Sequence, residues 1–171
     1  MADAPDPTTG PSAHFLVHRK VASYDSYTVT ADDGSTVFDV KFHMHLSKLT
    51  WTFVDRAGAE VATLVRPPMH AHPTFEVDRP GHGPVTVRKA NFMPVHETWK
   101  VEGTELGDLD VSGSLADHEF VVTDASGATV AEASRKWATL RETYAVRCSG
   151  MPAELAAATA LAIDVVEHQQ H

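Results

Sequence analysis

The chain has 171 residues, 43% of them hydrophobic, and a formal net charge of −9. That suits one globular domain and excludes a general nucleic-acid binder, because phosphate binding needs a cationic surface. Its one cysteine, Cys148, excludes an intramolecular disulfide and suits a reducing compartment.

Residues 1–12 are polar and proline-rich, without the basic and apolar regions of a signal peptide. They are expected to form a disordered tail ahead of one domain over residues 13–168, with residues 169–171 as a second short tail. The longest apolar run falls short of the roughly 20 residues a bilayer needs, so the expected location is cytoplasmic, with membrane contact at most peripheral.

From residue 14 onward short alternating segments are separated by turn signals. Tyr27-Thr28-Val29-Thr30 leads through Asp32-Asp33-Gly34 to Val37-Phe38-Asp39-Val40. Trp51-Thr52-Phe53-Val54 leads through Asp55-Arg56-Ala57-Gly58 to residues 61–66. Phe75-Glu76-Val77 leads through Asp78-Arg79-Pro80-Gly81 to residues 85–89, and Phe120-Val121-Val122 through Asp124-Ala125-Ser126-Gly127 to residues 130–134. Asp starts such turns through its carboxylate, and Gly supplies the positive φ that ends them. The unit recurs roughly every 22 to 26 residues, as internal repetition does. Residues 14–20, 96–102, 106–112 and 143–148 also read as strands. The total is about twelve, at the spacing of an all-β sandwich or barrel. Period-two alternation gives each strand one apolar and one wet face: Phe38, Val40 and Phe42 oppose Asp39 and Lys41, and Trp99 and Val101 oppose Lys100 and Glu102.

The last segment breaks this pattern. Ser149-Gly150-Met151-Pro152, followed by Glu154, is a helix start. The next residues, 155–166, are rich in alanine and leucine and apolar nearly all round, so this helix must be enclosed by protein. About twelve strands tilted near 40° enclose a backbone diameter of roughly 24 Å. A slim helix about 10 Å across, with inward side chains, fills that space. The expected fold is a twelve-stranded closed antiparallel β-barrel enclosing a hydrophobic C-terminal α-helix. An amphipathic helix packed outside a sandwich would need a polar face that residues 155–163 lack. Asp164 is the odd residue of that helix and must find a partner or become neutral. It is expected near the barrel mouth, paired with a basic residue or hydrogen-bonded.

Ser134-Arg135-Lys136-Trp137, followed by Leu140-Arg141-Glu142-Thr143-Tyr144 and the alanine-rich helix ending in Ala162-Ile163-Asp164, resembles the signature of the LURP-one-related proteins. These belong to the tubby C-terminal-like superfamily, with the phospholipid scramblases. The resemblance implies a twelve-stranded barrel around a C-terminal helix, and no reaction. Tubby proteins bind phosphoinositides through basic residues; none of those positions is carried over here.

The connectors between hairpins share a composition: Lys41-Phe42-His43-Met44, Arg66-Pro67-Pro68-Met69, Arg88-Lys89-Ala90-Asn91-Phe92-Met93 and Arg135-Lys136-Trp137. Gathered on one rim, Lys41, Arg66, Arg88, Lys89, Arg135, Lys136 and Trp137 could meet an anionic lipid, a phosphoinositide or a protein partner. The plainer reading is that the aromatics cap the core and the cations solubilise the rim. His43, His45, His70 and His72 fall in the same connectors, with His96 nearby. Histidines at i and i+2 of a strand can share a metal, though exposed loop histidines are the plainer reading, and a pH-sensitive rim is a third. Cys148 ends a strand and reads as a small buried hydrophobe. Catalytic motifs and cofactor fingerprints are absent from the sequence. The leading functional expectation is a non-enzymatic binding or scaffold domain, with no cofactor. The alternatives are a small-ligand or metal-binding protein or enzyme with a surface site at the rim histidines, and a self-associating structural protein.

Overall fold

The computed structural model describes residues 13–20, 26–68, 72–90, 97–114, 117, 119–138 and 143–169. The expected tail at 1–12 lies outside them, as do His70, His96, residues 91–95 and residues 139–142. Twelve strands are followed by one helix: β1 Ala13–Arg19, β2 Tyr27–Ala31, β3 Thr36–His45, β4 Lys48–Val54, β5 Glu60–Arg66, β6 Thr74–Asp78, β7 Val85–Lys89, β8 Thr98–Thr104, β9 Gly107–Ser114, β10 Glu119–Thr123, β11 Thr129–Ser134, β12 Thr143–Cys148 and α1 Ala153–Gln169. Each strand pairs antiparallel with its chain neighbours, and β12 closes on β1 with Phe15 opposite Val146. Closure leaves no long sheet edge for another chain to extend.

The turns at one end form as their chemistry dictates. The Asp55 carboxylate accepts the N–H groups of Ala57 and Ala59, both at 2.9 Å. Asp124 accepts those of Ser126 and Ala128 at 2.9 and 3.0 Å. Gly58 and Gly127 then take φ of 83° and 84°, a conformation that costs glycine nothing. These turns define a hairpin end; the longer connectors lie at the opposite end.

One hairpin departs from the sequence pattern. Lys41-Phe42-His43-Met44 is not a connector but part of β3, whose pairing with β4 runs on to His45 opposite Lys48. The strands are joined by Leu46 and Ser47, both left-handed with φ of 47° and 66°. A two-residue turn of type I′ has φ > 0 at both central positions and so matches strand twist, a place usually given to Asn-Gly. Leucine and serine carry no such signal, so the turn is invisible to composition.

Inside, the alternation holds. Phe15, Trp51, Phe53, Phe75, Trp99 and Leu109 are fully buried, each stabilising by about 1.5–3 kcal/mol or more relative to exposure. The helix enters at the hairpin end, where the N–H of Met151 donates to Val130 O at 3.2 Å. Its 17 residues cross about 26 Å at 1.5 Å per residue. Every residue from Ala153 to Glu167 is buried except Glu154. The alanines keep it narrow, and the one hydroxyl, Thr159, donates to Leu155 O at 2.8 Å.

Arg79 closes the hairpin end. Its buried guanidinium donates to both oxygens of Glu105, at 2.9 and 2.5 Å, and to Glu154 of α1 at 3.2 Å. The hydrogen bond from Arg79 holds the Glu105 carboxyl down to about 2, and the one cation ties the hairpin to the helix through Glu154.

Two substitutions test this packing in urea titrations. Ala160→Leu adds volume at a fully buried helix position and should lower unfolding free energy by about 1–3 kcal/mol. Arg79→Met should cost about 2 kcal/mol, because Glu105 and Glu154 lose their cation yet keep some water.

Candidate functional site

The barrel is electrically lopsided. Asp32, Asp33, Asp55, Asp78, Glu105 and Asp124 lie on the hairpin turns or at their roots. Hydrogen bonds from Ser35 hold the Asp33 carboxyl below its usual range, and those from Ser126 and Ala128 do the same for Asp124. The cations of this end are engaged: Arg79 as above, Arg56 with Thr36 O at 2.7 Å and Ser35 Oγ at 2.6 Å. Most of the chain's 14 lysines and arginines fall at the other end: Arg19 and Lys20 after β1, Lys41 and Lys48 on the β3–β4 hairpin, Arg66 ending β5, Arg88 and Lys89 ending β7, Arg135 and Lys136 after β11.

These cations are not equivalent. Lys41 and Lys136 are exposed and form no ion pair among the described residues. Arg135 is exposed at the start of a short 3-10 helix, Arg135–Trp137, capped by Ser134 Oγ, which accepts the Lys136 N–H at 3.2 Å. Arg66 turns toward the mouth, with its guanidinium carbon 5.6 Å from the Phe75 ring centroid. Arg88 and Lys89, adjacent in sequence, face opposite ways: Arg88 donates to Glu102 on the outer wall at 2.6 and 2.9 Å, and buried Lys89 holds Glu97 at 2.5 Å. Trp137 lies under Arg147, the guanidinium carbon 3.9 Å from its ring centroid, against the outer wall. The seven candidate rim residues therefore fall on β3, β5, β7 and the 3-10 helix after β11; Arg88 and Trp137 lie against the outer wall, Lys89 is buried, and Lys41 and Lys136 are exposed. Sequence reasoning missed Lys48, exposed and without an ion pair among the described residues. Met44 and Leu46 beside it are 69% and 83% exposed.

His43 and His45 lie exposed on the outward face of β3, and His72 is exposed beyond β5. No group of three or more His, Cys, Asp or Glu side chains placed to hold a metal occurs among the described residues. Cys148 is buried, and burial pushes its thiol up to about 12.

The mouth itself contains a buried polar network. Asp164, 3% exposed, accepts the Tyr27 hydroxyl at 2.6 Å and pairs with His168 one turn on at 3.2 Å. The hydrogen bond to Asp164 raises the His168 imidazole; burial, then the Asp164 charge, push the Tyr144 phenol well above its usual range. Beside Asp164, Glu167 meets Glu97, which Lys89 also holds. Burial first, then a hydrogen bond with Glu97 and the charge of that carboxylate, push the Glu167 carboxyl up to about 7. Sequence reasoning found Asp164 and missed Glu167, although an i, i+3 spacing puts both on one side of a helix.

The Glu167 proton ties stability to pH. The fold keeps it between about 4.5 and about 7 while the unfolded chain releases it, so unfolding free energy falls as pH rises through that window. Urea midpoints measured from pH 5 to 8 should decline for the native chain, and Glu167→Gln should flatten part of that slope. An unchanged slope in Glu167→Gln would refute the assignment.

A family model described as LURP-one-related matches residues 13–164. No curated protein matches the chain. Among solved structures, the X-ray structure of an Arabidopsis thaliana protein superposes with a TM-score of 0.65 at 20% identity, covering 93% of this chain and 97% of that one. At that identity the likeness concerns the fold.

Proposed function

This chain belongs to the LURP-one-related family, and from that premise we propose that it is a non-enzymatic binding or scaffold domain whose connector end docks on an anionic lipid surface. The segregation of charge along the barrel axis carries this reading. A net charge of −9 repels an anionic membrane on average, but the hairpin end has few cations beside its acids, whereas most of the cations lie at the other end, alongside Glu97, Asp117, Glu119 and the buried Asp164 and Glu167; such an asymmetric molecule is oriented by the surface field, cation-rich end first. The filled interior supports a binding role over catalysis, since helix and inward side chains occupy the space a substrate would need. No described helix is long and apolar enough to cross a membrane, which fits a module that touches a bilayer from the cytoplasmic side. Phosphoinositides are the strongest anionic headgroups such a rim could meet. A protein partner with an acidic face is the competing occupant of the same end.

Vesicle co-sedimentation tests the reading. Binding is expected to phosphatidylcholine vesicles doped with phosphatidylserine or a phosphoinositide at low salt. It should be absent with phosphatidylcholine alone and lost near about 0.5 M salt, where screening shortens to a few ångströms. Lys41→Ala and Lys136→Ala should each weaken partition about fivefold, equivalent to about 1 kcal/mol per basic residue near the surface. Absence of binding to every anionic vesicle at low salt would overturn it.

A further inference from the structure

We propose that the tip of the β3–β4 hairpin is a membrane wedge, with Leu46 and Met44 entering the acyl boundary and Lys41, Lys48, His43 and His45 meeting anionic headgroups. This rests on the lipid-docking reading above and names the element that does the inserting.

The hairpin projects well past β2 and, because β5 still pairs Arg66 with Leu49, past β5 only at its tip. The last rung between β2 and β3 joins Tyr27 to Val40, yet the β3–β4 ladder continues through His43–Thr50 and Met44–Leu49 to His45–Lys48. The projection is anchored: Phe42 rests on Trp51 with ring centroids 5.3 Å apart, Trp51 on Phe75 at 6.2 Å, and Phe75 on Trp99 at 6.4 Å. A row of aromatics thus runs from the base of the hairpin into the core, so the tip stands on a rigid support.

Its chemistry fits an anionic bilayer. From residue 40 to residue 54 there is no Asp or Glu, in a chain that carries 23. Lys41 and Lys48 form no ion pair among the described residues, and His43 and His45 add charge when protonated. Between these cations stand Met44 and Leu46, the two most exposed large apolar side chains among the described residues. Leu46 is costly twice over within the folded monomer: it offers an aliphatic side chain to water and holds it in a left-handed conformation that Asn or Gly adopts more readily. Burial in lipid returns the first of these. Apolar tips flanked by cations are the arrangement that seats a peripheral element at the headgroup–acyl boundary.

A single-site label tests the wedge. Leu46→Cys can be coupled to an environment-sensitive fluorophore because the native thiol of Cys148 is buried and pushed up to about 12. Ala57→Cys, in the β4–β5 turn at the opposite end, is the control. With phosphatidylcholine–phosphatidylserine vesicles the label at 46 should brighten several-fold and shift to the blue, and that at 57 should not. Leu46→Asn relieves the backbone, so it should raise the melting temperature while weakening vesicle partition about tenfold. If the protein co-sediments but the label at 46 stays unchanged, the wedge is overturned and the docking reading stands. If both labels respond alike, the orientation is wrong and the wedge falls with it. If the native chain does not sediment with any anionic vesicle, the docking reading fails first.

Discussion

The structure depends on enclosing a helix that has no wet face. Such a helix must be surrounded, and a sheet can surround it only by closing. Closure at twelve strands leaves an interior too wide for wall side chains alone, so helix and wall specify one another. Alanine at 156, 157, 158, 160 and 162 matches the helix to the hole, and large inward residues such as Trp51 and Trp99 fill what remains. The β12–β1 seam follows from the same demand, since an open seam would wet the helix.

Enclosure decides where chemistry can occur. A helix threaded along the axis meets solvent only near its ends, and each end has a distinct ionic solution. At the entry, one buried guanidinium gathers two carboxylates from separate elements. At the exit, Asp164 and Glu167 stand near the helix C-terminus, where the backbone dipole disfavours negative charge. Tyr27, His168 and Lys89 offset that placement, and the carboxyl of Glu167 keeps a proton. Groups open to solvent are therefore found at the ends and on the outer faces.

Much of this was legible in sequence, for reasons that particular residues make clear. Asp55 and Asp124 announce their turns because the side chain itself makes the turn's hydrogen bonds. Trp99 and Val101 announce their face because a strand's period is two. Asp164 announced itself as the polar member of an apolar run. The β3–β4 turn did not, because Leu46-Ser47 has none of the usual turn chemistry and the left-handed backbone is imposed by strand pairing. Nor could sequence tell Arg88 from Lys89: a one-residue step reverses the face, sending one to Glu102 outside and the other to Glu97 inside. Trp137 reads as a rim aromatic until Arg147, ten positions on, is folded over it. Each miss turns on a partner supplied by register.

The same register explains how an acidic chain can carry a cationic end. In an up-and-down barrel every second connection returns to the same rim, so a composition rule applied to alternate connections becomes a polarity in space. Here the tight turns use Asp because carboxylates build such turns, which charges one end negative for structural reasons alone. The other end has no such need, and not all of the cations gathered there answer a folding requirement. Arg88 and Lys89 are drawn into pairs with Glu102 and Glu97; Lys41, Lys48 and Lys136 remain outward-facing. The residues that folding leaves unexplained thus fall on one rim, most densely around the hairpin whose apolar tip is also unexplained by the core.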